Sequence, residues 1–133
     1  MGARAAPVLR QALAEENPQV REFACNSLAA LGKDAVTAIP ELLAILEAND
    51  PALNPLAILA LSRMGTEVLS PVGEWLDSAN LWRRRQAVDI FSRMQPLPRE
   101  AGPWVRQAVR DGDPQVQLTA VSLLGRVRPF GPE

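Results

Sequence analysis

The chain has no histidine, one cysteine and, against thirteen arginines, a single lysine, Lys33. Each shortage excludes something. Without histidine the commonest metal ligand is missing, and so is the side chain that most often serves as a general base near neutral pH. A lone Cys25 cannot build an intramolecular disulfide framework. There is no glycine-rich phosphate loop and no cysteine or histidine cluster at metal-binding spacing, and no Ser-His-Asp or Cys-His relay can be assembled. No metal, cofactor or enzymatic activity is expected. No stretch approaches the roughly 20 uninterrupted apolar residues of a membrane-spanning helix. The opening Met1 to Pro7 has no apolar h-region, so the expectation is a cytoplasmic protein without a secretory signal. A surplus of charge is missing too. The net charge is −1, with −2 on residues 1–66 (five bases, seven acids) and +1 on residues 67–133 (nine bases, eight acids). That balance gives no electrostatic case for nucleic acid or an acidic membrane. The preference for arginine over lysine reads first as a genomic composition bias.

What is present is a repeat. The 133 residues, 47% apolar and 22% charged, suit one soluble domain, and self-similarity runs through all of it. Ala24, Leu28 and Leu31 recur as Ala57, Leu61 and Met64, then Ala87, Phe91 and Met94, then Ala120, Leu124 and Val127. An upstream set keeps the same phase: Ala6, Leu9, Ala12 and Leu13; Ile39, Leu42, Ile45 and Leu46; Leu69, Val72, Trp75 and Leu76; Gly102, Val105, Ala108 and Val109. Apolar residues at i, i+3, i+4 and i+7 mark one face of a helix and not the alternation of a strand. Each unit is therefore a pair of helices.

The junctions support this. Asn17-Pro18, Asp50-Pro51, Asn80-Leu81 and Asp113-Pro114 occupy one repeat position, where Asn or Asp supplies an N-cap oxygen and proline suits the first helical turn. Gly32 and Gly65 follow the last core residues of their helices, as C′ glycines do; Gln95 and Arg128 replace them later. Eight helices are predicted, at about 4–15, 18–31, 37–48, 51–64, 68–78, 81–94, 101–111 and 114–128, with no β-sheet. Leu28, Leu61, Phe91 and Leu124 should form one buried row. Cys25, aligned with Ile58, Val88 and Val121, should be a buried packing residue, while Leu118, Val121 and Leu123 should lack a following repeat to cover them.

The run Pro18-Gln19-Val20-Arg21 through Ala24, Leu28 and Gly32 resembles the second helix of HEAT repeats, particularly the short bacterial type first noticed in phycobilisome lyases. The resemblance extends over essentially the whole chain. It implies an all-α fold, a right-handed α-solenoid (superhelix) of four helix-turn-helix repeats at about 4–35, 36–66, 67–98 and 99–130, in a single domain. Two departures stand out: the Val-Arg pair is intact only as Val20-Arg21, and Arg83 falls where a core valine is expected, with Trp82 beside it.

The resemblance also implies that second helices line a concave face. Helical spacing then puts Leu59, Trp82, Arg85 and Asp89 at its centre as candidate partner-binding residues, since tryptophan and arginine are enriched at binding hot spots. Trp82 has a second reading, as a residue filling space left by Arg83. Arg63, Arg93 and Arg126 recur near the ends of second helices and are candidate anion contacts; as helix-end arginines they also suit the helix dipole. Glu15-Glu16 and Asp111/Asp113 read as solvated turn residues. The function expected is a non-catalytic protein–protein interaction scaffold or adaptor. Its partner is another protein, further repeats of a longer chain, or a second copy meeting the exposed terminal repeat. The alternative is a nucleic-acid or polyanion binder similar to HEAT-like DNA glycosylases, which Trp82, Arg85 and Asp89 superficially fit and the charge balance disfavours.

Overall fold

A computed structural model describes residues 2–127, and every regular element among them is helical. The α-helices are α1 (Gly2–Ala12), α2 (Pro18–Leu31), α3 (Ile39–Ala48), α4 (Asn54–Ser62), α5 (Leu69–Gly73), α6 (Leu81–Arg93), α7 (Gly102–Val109) and α8 (Pro114–Leu124). Short 3-10 segments occupy Gly32–Ala38, Gly65–Val68, Glu74–Asp77 and Arg99–Ala101. The described residues form two compact units that divide between Gly65 and Thr66. In the first, α2 packs on both α1 and α4, and α4 on α3; in the second, α6 packs on α5 and α8, and α8 on α7.

Three helix starts follow the sequence. Asn17 Oδ1 accepts the Gln19 N–H at 2.9 Å, Asn80 Oδ1 accepts that of Trp82 at 2.9 Å, and Asp113 Oδ2 accepts that of Val116 at 3.1 Å. Each cap contributes about 1 kcal/mol. The fourth start is displaced. Asp50 Oδ1 accepts the Ala52 N–H at 2.9 Å, yet regular helix begins only at Asn54, because Pro55 has no N–H to give to the preceding turn. Gly32 and Gly65 sit at φ 57° and 73°, the positive region that favours glycine.

The expected helix at 68–78 is broken into α5 and the 3-10 turn Glu74–Asp77. Pro71 lies within it, one residue later than the prolines of the other units. The eighth helix ends at Leu124, short of the expected 128; residue 128 lies outside the described residues.

The small second-helix row is fully buried: Ala24, Ala57, Ala87 and Ala120 are at most 1% exposed, which lets helices approach closely. Leu28, Leu61 and Phe91 are completely buried, but Leu124 is 43% exposed and leaves the expected row. Leu123 is buried, contrary to expectation, while Leu118 and Val121 are exposed as expected. The reason is the direction each position faces. Residue 123 shares its repeat position with Ala60 and Ile90, both buried, on a helix that packs against α6 and α7. Residue 124 shares the position of Leu28, Leu61 and Phe91 but lies on a face of α8 that stays open.

Candidate functional site

Arg84 and Arg85 join α6 to the turn before α8. Arg84 Nε donates to Asp111 Oδ2 at 2.9 Å, and Arg85 donates from Nε to Asp113 Oδ2 at 3.2 Å and from Nη2 to Asp113 Oδ1 at 3.0 Å. Asp111 Oδ1 also accepts the Asp113 N–H at 2.9 Å. The two aspartates are only 8% and 10% exposed in their side chains. They are anchoring residues, which corrects the expectation of solvated turn carboxylates: each has exchanged water for an arginine. The hydrogen bonds from Arg85 hold the Asp113 carboxyl below its ordinary range against the opposing effect of burial, and the Val116 N–H adds to them.

Beside this clamp lies a groove of about 420 Å³ whose walls come from α6 and α8. Trp82, Arg85 and Asp89, three of the four candidate partner-binding residues, line it together with Gln86, Gln115 and Thr119. Leu59 is half-buried on α4 of the first unit, and this groove is built without it. Gln86 and Thr119 were not singled out by the sequence. Gln86 lies four residues after Trp82, so helical spacing from that candidate would have found it, whereas Thr119 stands on α8, which carried no candidate.

Trp82 packs against one aromatic neighbour and also lines the groove. Its ring lies 6.1 Å from that of the buried Trp75, tilted by 46°, while its other surface is open to the groove. The Arg83 guanidinium stands 5.8 Å from the Trp75 ring centroid, a cation–π distance, so the arginine at the valine position packs against an aromatic face. Arg85 is a groove wall with two donor groups committed to Asp113, and not a freely presented fork. Asp89 Oδ1 accepts from Arg93 Nε at 3.2 Å. Groove chemistry is thus one indole, one guanidinium, two primary amides, two hydroxyls, one carboxylate and one aliphatic side chain. Such a set suits the backbone amides and a cationic or aromatic side chain of a polypeptide.

The three candidate anion-contacting arginines are not equivalent. Arg63 is exposed after α4. Arg93 pairs with Asp89 one turn back on its own helix. Arg126 donates from Nη1 to the Ser92 carbonyl at 2.6 Å and from Nη2 to the Met94 carbonyl, so it caps the C-terminal end of α6 from a neighbouring element. Two of the three therefore spend donors inside the protein. Among the described residues no three His, Cys, Asp or Glu side chains group to hold a metal ion. No helix among them is long and apolar enough to cross a membrane.

Consecutive paired helices, with a buried alanine at one position of every second helix and an Asn or Asp at its start, define a helical-repeat protein. The family model for HEAT repeats matches residues 6–92, and the chain belongs to that family. Comparison with curated proteins returned no match.

Proposed function

We propose that this chain is a non-catalytic protein–protein interaction scaffold that receives a segment of a partner polypeptide in the groove between α6 and α8. In this reading it is one continuous domain, a right-handed solenoid of four repeats of the short bacterial type, with its second helices on the concave side. HEAT repeats generally mediate protein–protein interaction. The observation that carries the assignment is the groove itself: about 420 Å³ lined by Trp82, Asp89 and two glutamines, within the roughly 300–1,000 Å³ typical of binding clefts. The Arg84 and Arg85 clamps hold its two walls together, and a rigid site loses less entropy on binding.

Selection of a phage-displayed peptide library on the full chain tests this. Selected peptides should lose roughly tenfold or more in affinity against Trp82→Ala and Asp89→Arg, as hot-spot residues do. Peptides insensitive to both substitutions, with the variants folded by circular dichroism, would remove the groove from the assignment.

The polyanion alternative gains little from Arg93 and Arg126, whose donors are engaged at 3.2 Å and 2.6 Å. A labelled oligonucleotide should show no binding that falls steeply with salt.

A further inference from the structure

The first unit carries a second groove, of about 480 Å³, bounded by the end of α1, the turn before α2, and α3 with the turn that follows it. Its floor is apolar. Leu13 and Leu53 are buried there and Ile45 is half-buried. Ala44 and Ala48, one turn apart on α3, leave the furrow open. The corresponding positions of the second unit are Gln107 and Asp111, and there Arg84 reaches across to Asp111 at 2.9 Å. Arg21 is the counterpart of Arg84, but the counterpart of Asp111 is Ala48. The first unit's groove is thus left uncrossed by the ion pair that spans its equivalent.

The rim defines what would enter. Glu15, Glu16, Glu41 and Asp50 line the groove with Arg21 as its one cationic residue. Glu41 is already neutralised by a two-bond pair with Arg10, at 3.1 and 2.8 Å. Glu15 and Glu16 are exposed, and among the described residues only their backbone groups are engaged: both carbonyls accept from Arg21 Nη1, at 2.7 and 2.9 Å, and the Glu15 N–H donates to the Ala12 carbonyl at 3.2 Å. The rim therefore keeps unneutralised negative charge around an apolar floor. Polypeptides complementary to that pattern carry an aliphatic side chain between cations. From Glu41 to Ala48 the furrow follows about two turns of helix, roughly 10 Å, which matches a short helix better than a long extended strand.

We infer that this groove is a second docking site, specific for a basic amphipathic helix that seats leucine-type side chains on Ile45 and Leu53 and places lysine or arginine against Glu15, Glu16 and Asp50. This site stands independently of the α6/α8 groove. It is lined by α3, the turns before α2 and α4, and Arg21 of α2, all in the first unit, so one chain could hold two segments at once.

The test uses the full chain and a fluorescein-labelled synthetic peptide of about 15 residues, long enough to form helix, with leucines at i, i+4 and i+7 among lysines. Fluorescence anisotropy should give a micromolar Kd. Replacing the lysines by glutamate or the leucines by alanine should each weaken binding about tenfold or more. Glu15→Lys with Glu16→Lys changes only exposed turn residues and should weaken binding to a similar degree, as should Ala44→Arg, which fills the furrow. Trp82→Ala should leave binding unchanged. Amide shifts in NMR spectra should concentrate at Ala44, Ala48 and Leu53. Absence of binding, equal binding of the alanine peptide, shifts centred on α6 and α8, or sensitivity to Trp82→Ala would each overturn the inference.

Discussion

Arg21 and Arg84 stand at the same repeat position and make the same bonds: each Nη1 donates to the backbone carbonyls six and five residues before it, Glu15 and Glu16 for Arg21, Ser78 and Ala79 for Arg84. The bonds tie each helix-to-helix turn to the helix that follows. Gln117, at the same position again, donates to the Val109 carbonyl at 3.1 Å. The arginine of the family's Val-Arg pair is thus present in the third pair, as Arg84. What changed there is the valine.

The two arginines differ in one respect, and stability should report it. Arg84 also pairs with the nearly buried Asp111, and removing it leaves that carboxylate without its ion pair. Arg84→Ala should cost about 2–3 kcal/mol, near the lower end of broken buried pairs, and Arg21→Ala about 1 kcal/mol. Urea melts of the two variants check this; equal losses would mean that the Asp111 pair contributes nothing.

Packing should weaken toward the end of α8. Leu61 is fully buried and Leu124 is 43% exposed. Leu61→Ala should cost about 2–5 kcal/mol, and Leu124→Ala under about 1 kcal/mol because less apolar surface is lost from a packed environment. Equal losses in denaturant melts would show that Leu124 is covered in solution.

Acid should destabilise the protein through two pairs. Asp113 and Glu41 are both held below their ordinary pKa, chiefly by hydrogen bonds from Arg85 and Arg10. A carboxyl with a lower pKa folded than unfolded binds more protons when unfolded, so stability rises with pH through that window. The contribution is full above the unfolded values near 4 and is lost as pH falls through the folded ones. Thermal melts from pH 6 down to 3 should show a falling Tm, with a shallower slope in Asp113→Asn and in Glu41→Gln. Slopes matching the parent in both variants would assign the acid sensitivity elsewhere.

Cys25 should be inert while the chain is folded. It is fully buried, and burial first, then the nearby Glu22 charge, pushes its thiol up to about 11. Since the thiolate is the reactive form, a thiol-reactive disulfide reagent at pH 8 should modify it at least about 100-fold more slowly in buffer than in urea. Rapid labelling of the native protein would contradict its burial.

Much of the architecture was legible because it rests on short-range rules. Asn17, Asn80 and Asp113 act within three residues of themselves, and the apolar periodicity needs only the geometry of one helix, so the helix pairs and the family pattern followed from the chain alone. The sequence also determined which side chains could meet in the α6/α8 groove, since Trp82, Arg85 and Asp89 recur at i, i+3 and i+7. Tertiary structure decided what they do. Whether Arg85 is presented or committed depends on Asp113, 28 residues away, and whether Trp82 is core or surface depends on Trp75 across the helix pair. Burial of Leu123 instead of Leu124 depends on which face of α8 its neighbouring helices cover. The groove of the first unit was invisible beforehand, because a furrow made by Ala44 and Ala48 exists only when the carboxylates of two separate turns are brought to its edges.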